Sequence, residues 1–103
     1  MKQIIGKKVY DTEKATLLAE YWNGLSTGDF CYVRERLYIT DNGNFFMHGD
    51  GGPMSIYSER IGRNTTGISK IIPYDKDEAY EWLEEQNEYQ IIELYFNDDI
   101  EEA

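Results

Sequence analysis

Residues 37–57, LYITDNGNFFMHGDGGPMSIY, combine a turn motif with two flanking runs of strand-forming residues. The pair Asn42-Gly43 is typical of a tight β-hairpin, because a type I′ turn needs positive φ at both of its central positions. We therefore predict a β-hairpin over residues 30–48, and we expect the rest of the chain to pack around it.

The turn also predicts the register of this hairpin. With two residues in the turn, Ile39 pairs with Phe46 and Leu37 pairs with His48. Side chains alternate between the two faces of a strand, so this register assigns each residue to a face. The predicted core face carries Val33, Leu37, Ile39, Phe46 and His48, and the half-solvated face carries Arg34, Arg36, Tyr38, Phe45 and Met47.

A glycine-rich segment, HGDGGP at residues 48–53, is predicted to end the returning strand. Its glycines allow backbone angles that other residues avoid, and Pro53 suits the first turn of a helix, so we predict a short helix near 54–61. Glycines ahead of a helix can direct backbone N–H groups at an anion. The segment is therefore either a purely structural turn or a ligand loop, with His48, Asp50, Gly51, Gly52 and Ser55 as the candidate residues.

The remaining elements follow from periodicity and capping. Residues 12–23 carry an apolar stripe with helical spacing, formed by Ala15, Leu18, Ala19 and Trp22. Asp75 and Glu78 form a variant of the capping box at the start of a second helix, near 75–87. Residues 68–72 are predicted to add a short strand. Residues 89–96 suit either a helix or a strand by periodicity, and their glutamates favour a helix.

These elements predict an α+β fold in one domain, residues 1–96, with an acidic, frayed tail at 97–103. An antiparallel sheet centred on the hairpin would be packed by the helices near 12–23 and 75–87. Trp22 and Trp82 would meet the apolar face of the hairpin.

The charge of the chain is segregated along the sequence. The 103 residues have a formal net charge of −10, and residues 75–103 hold twelve acidic residues against one lysine. A direct nucleic-acid binder needs a basic surface, so that class is disfavoured, and basic protein partners are favoured. The chain has no long apolar run and no secretion signal at its start, which predicts a cytoplasmic protein without membrane contact.

Five acidic residues of the predicted helix near 75–87 recur on one face. Along a helix they span about 16.5 Å, a mean spacing of about 4 Å per charge, which is comparable with the roughly 3.4 Å of axial rise per phosphate in one DNA strand. This acidic stripe could imitate nucleic acid on a basic partner surface, or it could be an ordinary solvated helix face. The stripe consists of Asp77, Glu81, Glu84, Glu85 and Glu88.

Two arginines of the first hairpin strand alternate with aromatic residues. Arg34 and Arg36 lie in sequence beside Tyr32 and Tyr38. Such an arrangement could stack on bases or bind a partner, or it could reflect cross-strand packing alone.

Several segments share a pattern with known small proteins: KVYDTEKA at 8–15, LY at 37–38, GNFFMHGDGG at 43–52 with Ser55 and Tyr57, IP at 72–73, and EAYEWL at 78–83. Together they resemble a family of small acidic proteins carried by phages, plasmids and conjugative elements of Gram-positive bacteria. The resemblance implies an accessory role in a mobile genetic element, and anti-CRISPR inhibition is one such role. It supplies no catalytic residues.

The sequence leaves three functional hypotheses. The first is a non-enzymatic inhibitor whose acidic stripe binds a basic, nucleic-acid-handling host complex such as a CRISPR effector. The second is a small enzyme or ligand-binding domain that uses the glycine-rich segment. The third is a dimeric adaptor that associates through residues 89–96. No set of nucleophile, base and orienting residue can be named, and with one histidine and one cysteine we expect neither a metal nor a cofactor.

Overall fold

A computed structural model describes residues 1–101 of the chain. Within this range an antiparallel β-structure is followed by two α-helices, so the predicted α+β class is confirmed. The strands are β1 Lys2–Ile5, β2 Lys8–Asp11, β3 Thr16–Trp22, β4 Val33–Ile39, β5 Phe45–Gly51, β6 Ser58–Ile61, β7 Asn64–Gly67 and β8 Ser69–Tyr74. The helices are α1 Lys76–Glu85 and α2 Tyr89–Tyr95, and a 3-10 turn follows at Asn97–Asp99.

A four-stranded antiparallel sheet in the order β3-β4-β5-β8 forms the centre of the fold. The helices cover one face, which we call the helix face. Its main core consists of Leu18, Ala19, Leu37, Phe45, Met47, Ala79, Trp82, Leu83, Ile92 and Phe96. The ribbon formed by β1 and β2 covers one end of the opposite face, which we call the ribbon face. There a smaller cluster consists of Tyr10, Tyr38, Phe46 and Ile71.

The predicted hairpin is present as β4 and β5, but its register differs from the prediction by one residue. The loop has three residues, because the amide of Thr40 donates to the Asn44 carbonyl at 2.9 Å. The Thr40 hydroxyl also accepts from the Asn44 amide at 3.0 Å, and Gly43 has a φ of 83°. Positive φ is needed at only one position of such a loop, where Gly43 supplies it. Ile39 therefore pairs with Phe45.

This one-residue shift reverses the predicted faces of the returning strand. Phe45 and Met47 join the main core of the helix face. Phe46 and His48 lie instead on the ribbon face, opposite Tyr38 and Arg36. The strand also continues past its predicted end at His48 and includes the next three residues.

The predicted helix near 12–23 is wrong, since these residues form a turn and then strand β3. The register shifts between Leu17 and Ala19, as in a β-bulge. Two consecutive residues, Leu18 and Ala19, are consequently buried in the same core, which imitates helical spacing. Trp22 is 56% exposed and lies outside both clusters. Pairing with β4 overrides the local helical pattern.

The predicted helix near 54–61 is also wrong. Residues 53–57 form turns, and β6 then pairs with β7 in a two-stranded ribbon. Met54 and Ile61 are exposed while Tyr57 is buried, so these three residues do not share one side as the helix required. The segment folds back so that Tyr57 packs over the glycines of β5, as described below.

The strand and the two helices predicted in the C-terminal part of the chain are confirmed. The strand expected near 68–72 is β8, and the helices expected near 75–87 and 89–96 are α1 and α2. Trp82 packs in the main core as expected. In the predicted tail, Ile100 packs against the same core, and residues 102 and 103 lie outside the described residues.

Candidate functional site

Helix α1 has a capped first turn and one buried side, and these two features determine which of its side chains face solvent. Its first turn is closed by a capping box in which the Glu78 amide donates to Asp75 at 2.8 Å and the Asp75 amide donates to Glu78 at 2.9 Å. Ala79, Trp82 and Leu83 are buried against the sheet. The side chains on the remaining surface of α1 are consequently directed to solvent.

Four of the five predicted stripe residues share this solvent-exposed surface of α1. Asp77, Glu81, Glu84 and Glu85 are all exposed. The fifth, Glu88, lies beyond the end of α1, after Asn87 with a φ of 57°, and is half-buried at the start of α2. The regular charge spacing therefore extends only along α1. We call these four stripe carboxylates, Asp77, Glu81, Glu84 and Glu85, the acidic face.

The acidic face has no counter-ions within ion-pair distance among the described residues. The ion pairs within the described residues all lie on the sheet, and they join Glu20, Arg34, Arg36, His48 and Asp50. Lys76, the only cation in residues 75–103, places its ammonium 5.8 Å from the centre of the Phe96 ring. The last turn of α1 also lacks a basic residue that would compensate the helix dipole.

A shallow hollow of about 200 Å³ lies where α1 meets the edge of the sheet. Glu81 and Glu85 line it together with the capping residue Glu78, and aromatic side chains of Tyr74 and Trp82 complete it. The pKa of Tyr74 is raised, first by burial and then by the nearby negative charges of Glu35, Glu78 and Glu85. The hydroxyl of Tyr74 thus stays protonated, and the hollow can donate a hydrogen bond as well as attract a cation.

Glu35 connects this hollow to the glycine-rich segment, and the sequence did not point to it. Its carboxylate accepts hydrogen bonds from the Tyr57 hydroxyl and, at 3.3 Å, from the indole Nε1 of Trp82. Burial raises the pKa of Tyr57, and the hydrogen bond to Glu35 raises it further. A single acidic residue at a half-buried strand position gives no sequence signal, because its donors come from distant parts of the chain.

The glycines of the predicted ligand loop make room for side chains of the same segment. A Cβ at Gly49 would lie 2.1 Å from the Tyr57 ring, and one at Gly51 would lie 2.0 Å from the Ser55 hydroxyl. The amides of Gly51 and Gly52 donate to the carbonyls of Ile68 and Tyr32, at 3.1 and 2.9 Å. Ser55 donates to the Gly52 carbonyl at 2.8 Å. These amides are already occupied, and the helix expected to follow them is absent from this described segment.

His48 and Asp50 lie apart from those loop contacts, on the ribbon face. The Nε2 atom of His48 is 2.9 Å from the Ser69 hydroxyl and 3.8 Å from Asp50. Burial lowers the pKa of His48 more than Asp50 raises it, and the positive charges of Arg36 and the amino terminus lower it further. The imidazole is therefore mainly neutral at pH 7, and its buried Nδ1 atom has no hydrogen-bond partner among the described residues.

The two arginines singled out in the sequence form a charge network on the same face. Arg34 and Arg36 both contact the carboxylate of Glu20, and Arg36 is also 3.7 Å from Asp50. Tyr38 shares this face, where its ring stacks on Phe46, whereas Phe45 lies on the helix face. The arrangement thus couples β3, β4 and β5 at the end of the sheet that the β1–β2 ribbon leaves uncovered.

The described residues contain no group of three or more potential ligands that could hold a metal ion. No helix in residues 1–101 is long and apolar enough to cross a membrane. The chain matches no protein-family model, and no curated protein or solved structure is significantly similar to it.

Proposed function

We propose that this protein is a non-enzymatic binding protein that presents the acidic face of α1 to a basic surface of another protein. The observation that carries the proposal is the concentration of four exposed carboxylates, Asp77, Glu81, Glu84 and Glu85, without a cation in ion-pair distance among the described residues. The adjoining hollow adds aromatic surface and a tyrosine hydroxyl to this charge.

The energetics support a binding role for these carboxylates. Asp77 and Glu81 are four residues apart, as are Glu81 and Glu85, and each such like-charge pair costs a helix roughly 0.2–0.5 kcal/mol. Negative charge in the last turn is also unfavourable to the helix dipole. A partner that supplies lysine or arginine side chains would relieve both costs on binding. Its association would be fast and sensitive to salt.

For the class of partner, the support is the resemblance of the sequence segments quoted above to accessory proteins of Gram-positive mobile elements. Host complexes that handle nucleic acid hold it in channels lined with lysine and arginine. A small protein with a net charge of −10 and a dense acidic helix suits such a channel. We therefore propose a CRISPR effector, or another nucleic-acid-binding complex, as the partner that this protein inhibits.

The experiment compares two triple charge reversals. Glu81→Lys, Glu84→Lys and Glu85→Lys are combined in one variant, and Glu13→Lys, Asp41→Lys and Glu59→Lys in a control with the same net charge. All six positions are exposed, and the control positions lie outside α1. Each protein is tested for capture of a purified CRISPR effector and for inhibition of target cleavage.

We expect the wild type and the control to bind and inhibit, and the α1 variant to lose both activities. Raising salt from about 0.1 to about 0.5 M should weaken wild-type binding, because the Debye length falls from about 10 Å to about 4 Å and the attraction between the two charged surfaces is screened. Equal binding by the two triple variants would reject the acidic face as the site. Circular dichroism checks that both variants remain folded.

Self-association through residues 89–96 is a second candidate, favoured by the exposure of Tyr89 and Leu94, at 61% and 72%. Sedimentation at high concentration tests it, because a monomer under those conditions would exclude the dimeric adaptor. The ligand-loop alternative has less support, since the relevant amides already donate to carbonyls of the chain.

A further inference from the structure

A cleft of about 530 Å³ opens on the ribbon face, at the end that the β1–β2 ribbon leaves uncovered. It lies between strands β3 and β4 and the loop that joins them. Its volume is within the range of small-molecule sites, roughly 300–1,000 Å³. Its lining combines two aromatic side chains, an ion pair and hydroxyl groups, contributed by Glu20, Trp22, Ser26, Thr27, Tyr32 and Arg34.

Trp22 forms one wall of this cleft and is held in place without being buried. Its indole Nε1 donates to the Leu25 carbonyl at 2.7 Å, which fixes the orientation of the ring. The residue is nevertheless 56% exposed and belongs to neither core cluster. An oriented, exposed indole offers a flat surface on which another planar ring can stack at little entropic cost.

Arg34 supplies positive charge beside this ring. Its Nε donates to Glu20, and that hydrogen bond is the main reason why the pKa of Arg34 is raised. Glu20 is shared with Arg36, whose Nε lies 3.4 Å away, so one carboxylate serves two guanidinium groups. The side chain of Tyr32 is a second hydrogen-bond partner of Arg34. A guanidinium has five N–H donors in a planar fork, so these two contacts leave further donors for an anionic group.

The ligand class follows from these two neighbours. A planar ring would stack on Trp22, and a carboxylate or phosphate on the same molecule would bind Arg34. The hydroxyls of Ser26 and Thr27 would donate hydrogen bonds to polar substituents of the ligand or accept hydrogen bonds from them. A net charge of −10 opposes the binding of a long polyanion but opposes that of a small anion much less. We propose that the cleft binds a small aromatic anion.

Nuclear magnetic resonance of the wild-type protein tests this assignment directly, because the chain has two tryptophans and thus two indole N–H signals. Trp22 lines the cleft, whereas Trp82 is buried in the main core. The Trp22→Phe variant identifies the two signals. The probes are AMP, indole-3-acetate, adenosine and inorganic phosphate. AMP and indole-3-acetate combine a planar ring with a phosphate or a carboxylate, whereas adenosine has only the ring and inorganic phosphate only the anionic group.

We expect AMP or indole-3-acetate to shift the Trp22 signal and leave the Trp82 signal unchanged. Adenosine and inorganic phosphate should bind at least about tenfold more weakly, because each lacks one of the two contacts. A response to AMP alone assigns a nucleotide-like ligand, and a response to indole-3-acetate alone assigns an aromatic carboxylate. No shift at millimolar concentration, or equal binding of adenosine, would overturn the proposal.

A pair of arginine variants provides the matched control. Arg34→Met should weaken binding of the responsive probe by about tenfold or more. Arg63→Met removes the same charge at an exposed position outside the cleft and should leave binding unchanged. Equal affinities of these two variants would also overturn the proposal. If Arg34→Met does not fold, the comparison of probes on the wild type still decides.

Discussion

The two faces of the central sheet are covered in different ways. On the helix face, α1 and α2 enclose a large cluster of aliphatic and aromatic side chains that extends along the sheet. On the ribbon face, β1 and β2 cover only a small cluster around Phe46, and the other end carries the charge network of Glu20, Arg34, Arg36 and Asp50. The larger apolar core therefore lies on one face of the sheet, and the ion pairs between its strands lie on the other.

The difference shows how a carboxylate is accommodated in each setting. Glu35 on the helix face accepts hydrogen bonds from Tyr57 and Trp82, which are neutral donors on separate elements. Glu20 on the ribbon face contacts arginines and remains partly exposed. A half-buried carboxylate needs donors that pack as well as bind, whereas an exposed one can use charged partners that keep their hydration.

The largest expected loss of stability comes from adding a methyl group where the Tyr57 ring packs on Gly49, on the helix face. In Gly49→Ala the new methyl group would lie 2.1 Å from ring carbons of Tyr57. We expect a loss of about 3 kcal/mol in the free energy of unfolding, measured in urea, because neither the buried ring nor the central strand can move freely. Gly28→Ala is the control, since no described atom lies within 4 Å of its added Cβ. Similar stabilities of the two variants would contradict this packing.

A smaller effect is expected when Glu35 loses one donor. Tyr57→Phe keeps the ring but removes the hydroxyl, and Glu35 retains only the indole contact of Trp82 among the donors described. We expect a loss of about 2 kcal/mol, the range for a hydrogen bond to a charged group. Tyr21→Phe on β3, where the hydroxyl has no hydrogen bond within the described residues, should change the stability by less than about 0.5 kcal/mol. If both variants are equally stable, Glu35 does not connect the elements as described.

The smallest effect concerns protonation on the ribbon face. Because the pKa of His48 is lowered in the folded protein, the unfolded chain binds the proton first as the pH falls below the ordinary value of 6.5. The stability conferred by neutral His48 is thus present above that pH and lost below it, with a slope of at most about 1.4 kcal/mol per pH unit. We expect His48→Asn to flatten the decline in stability between pH 7.5 and 5.5, as measured by urea unfolding. Parallel declines in both proteins would contradict a half-buried, neutral histidine.

Much of the fold was predictable where the signal is local. The capping box of Asp75 and Glu78 located α1 correctly, and the Asn42-Gly43 pair located the hairpin. The prediction of a helix near 12–23 was wrong because a β-bulge buries Leu18 and Ala19 together and so imitates the apolar stripe of a helix. A bulge depends on pairing with β4, which periodicity within one segment does not contain.

The candidate sites divide in the same way. Four acidic residues on α1 could be grouped from their spacing, because a helix places residues three and four apart on one face. Glu35 could not, because its donors come from distant segments. The cleft beside Trp22 could not either, because it depends on β3, a strand that periodicity predicted as a helix. Trp22 was instead assigned to the core, as part of the predicted helix.

By itself, the sequence determined the elements whose causes lie within a few residues: the hairpin turn, the cap of α1, and the segregation of acidic charge in the C-terminal quarter. Tertiary structure alone decided the register of β4 and β5, the strand identity of β3, and the side of the sheet on which His48 and Phe46 lie. The physical reason is that side chains alternate between the two faces of a strand. A loop that is longer by one residue therefore moves every side chain of the following strand to the opposite face of the sheet. Only the packing of both faces against their own partners selects one of those two arrangements.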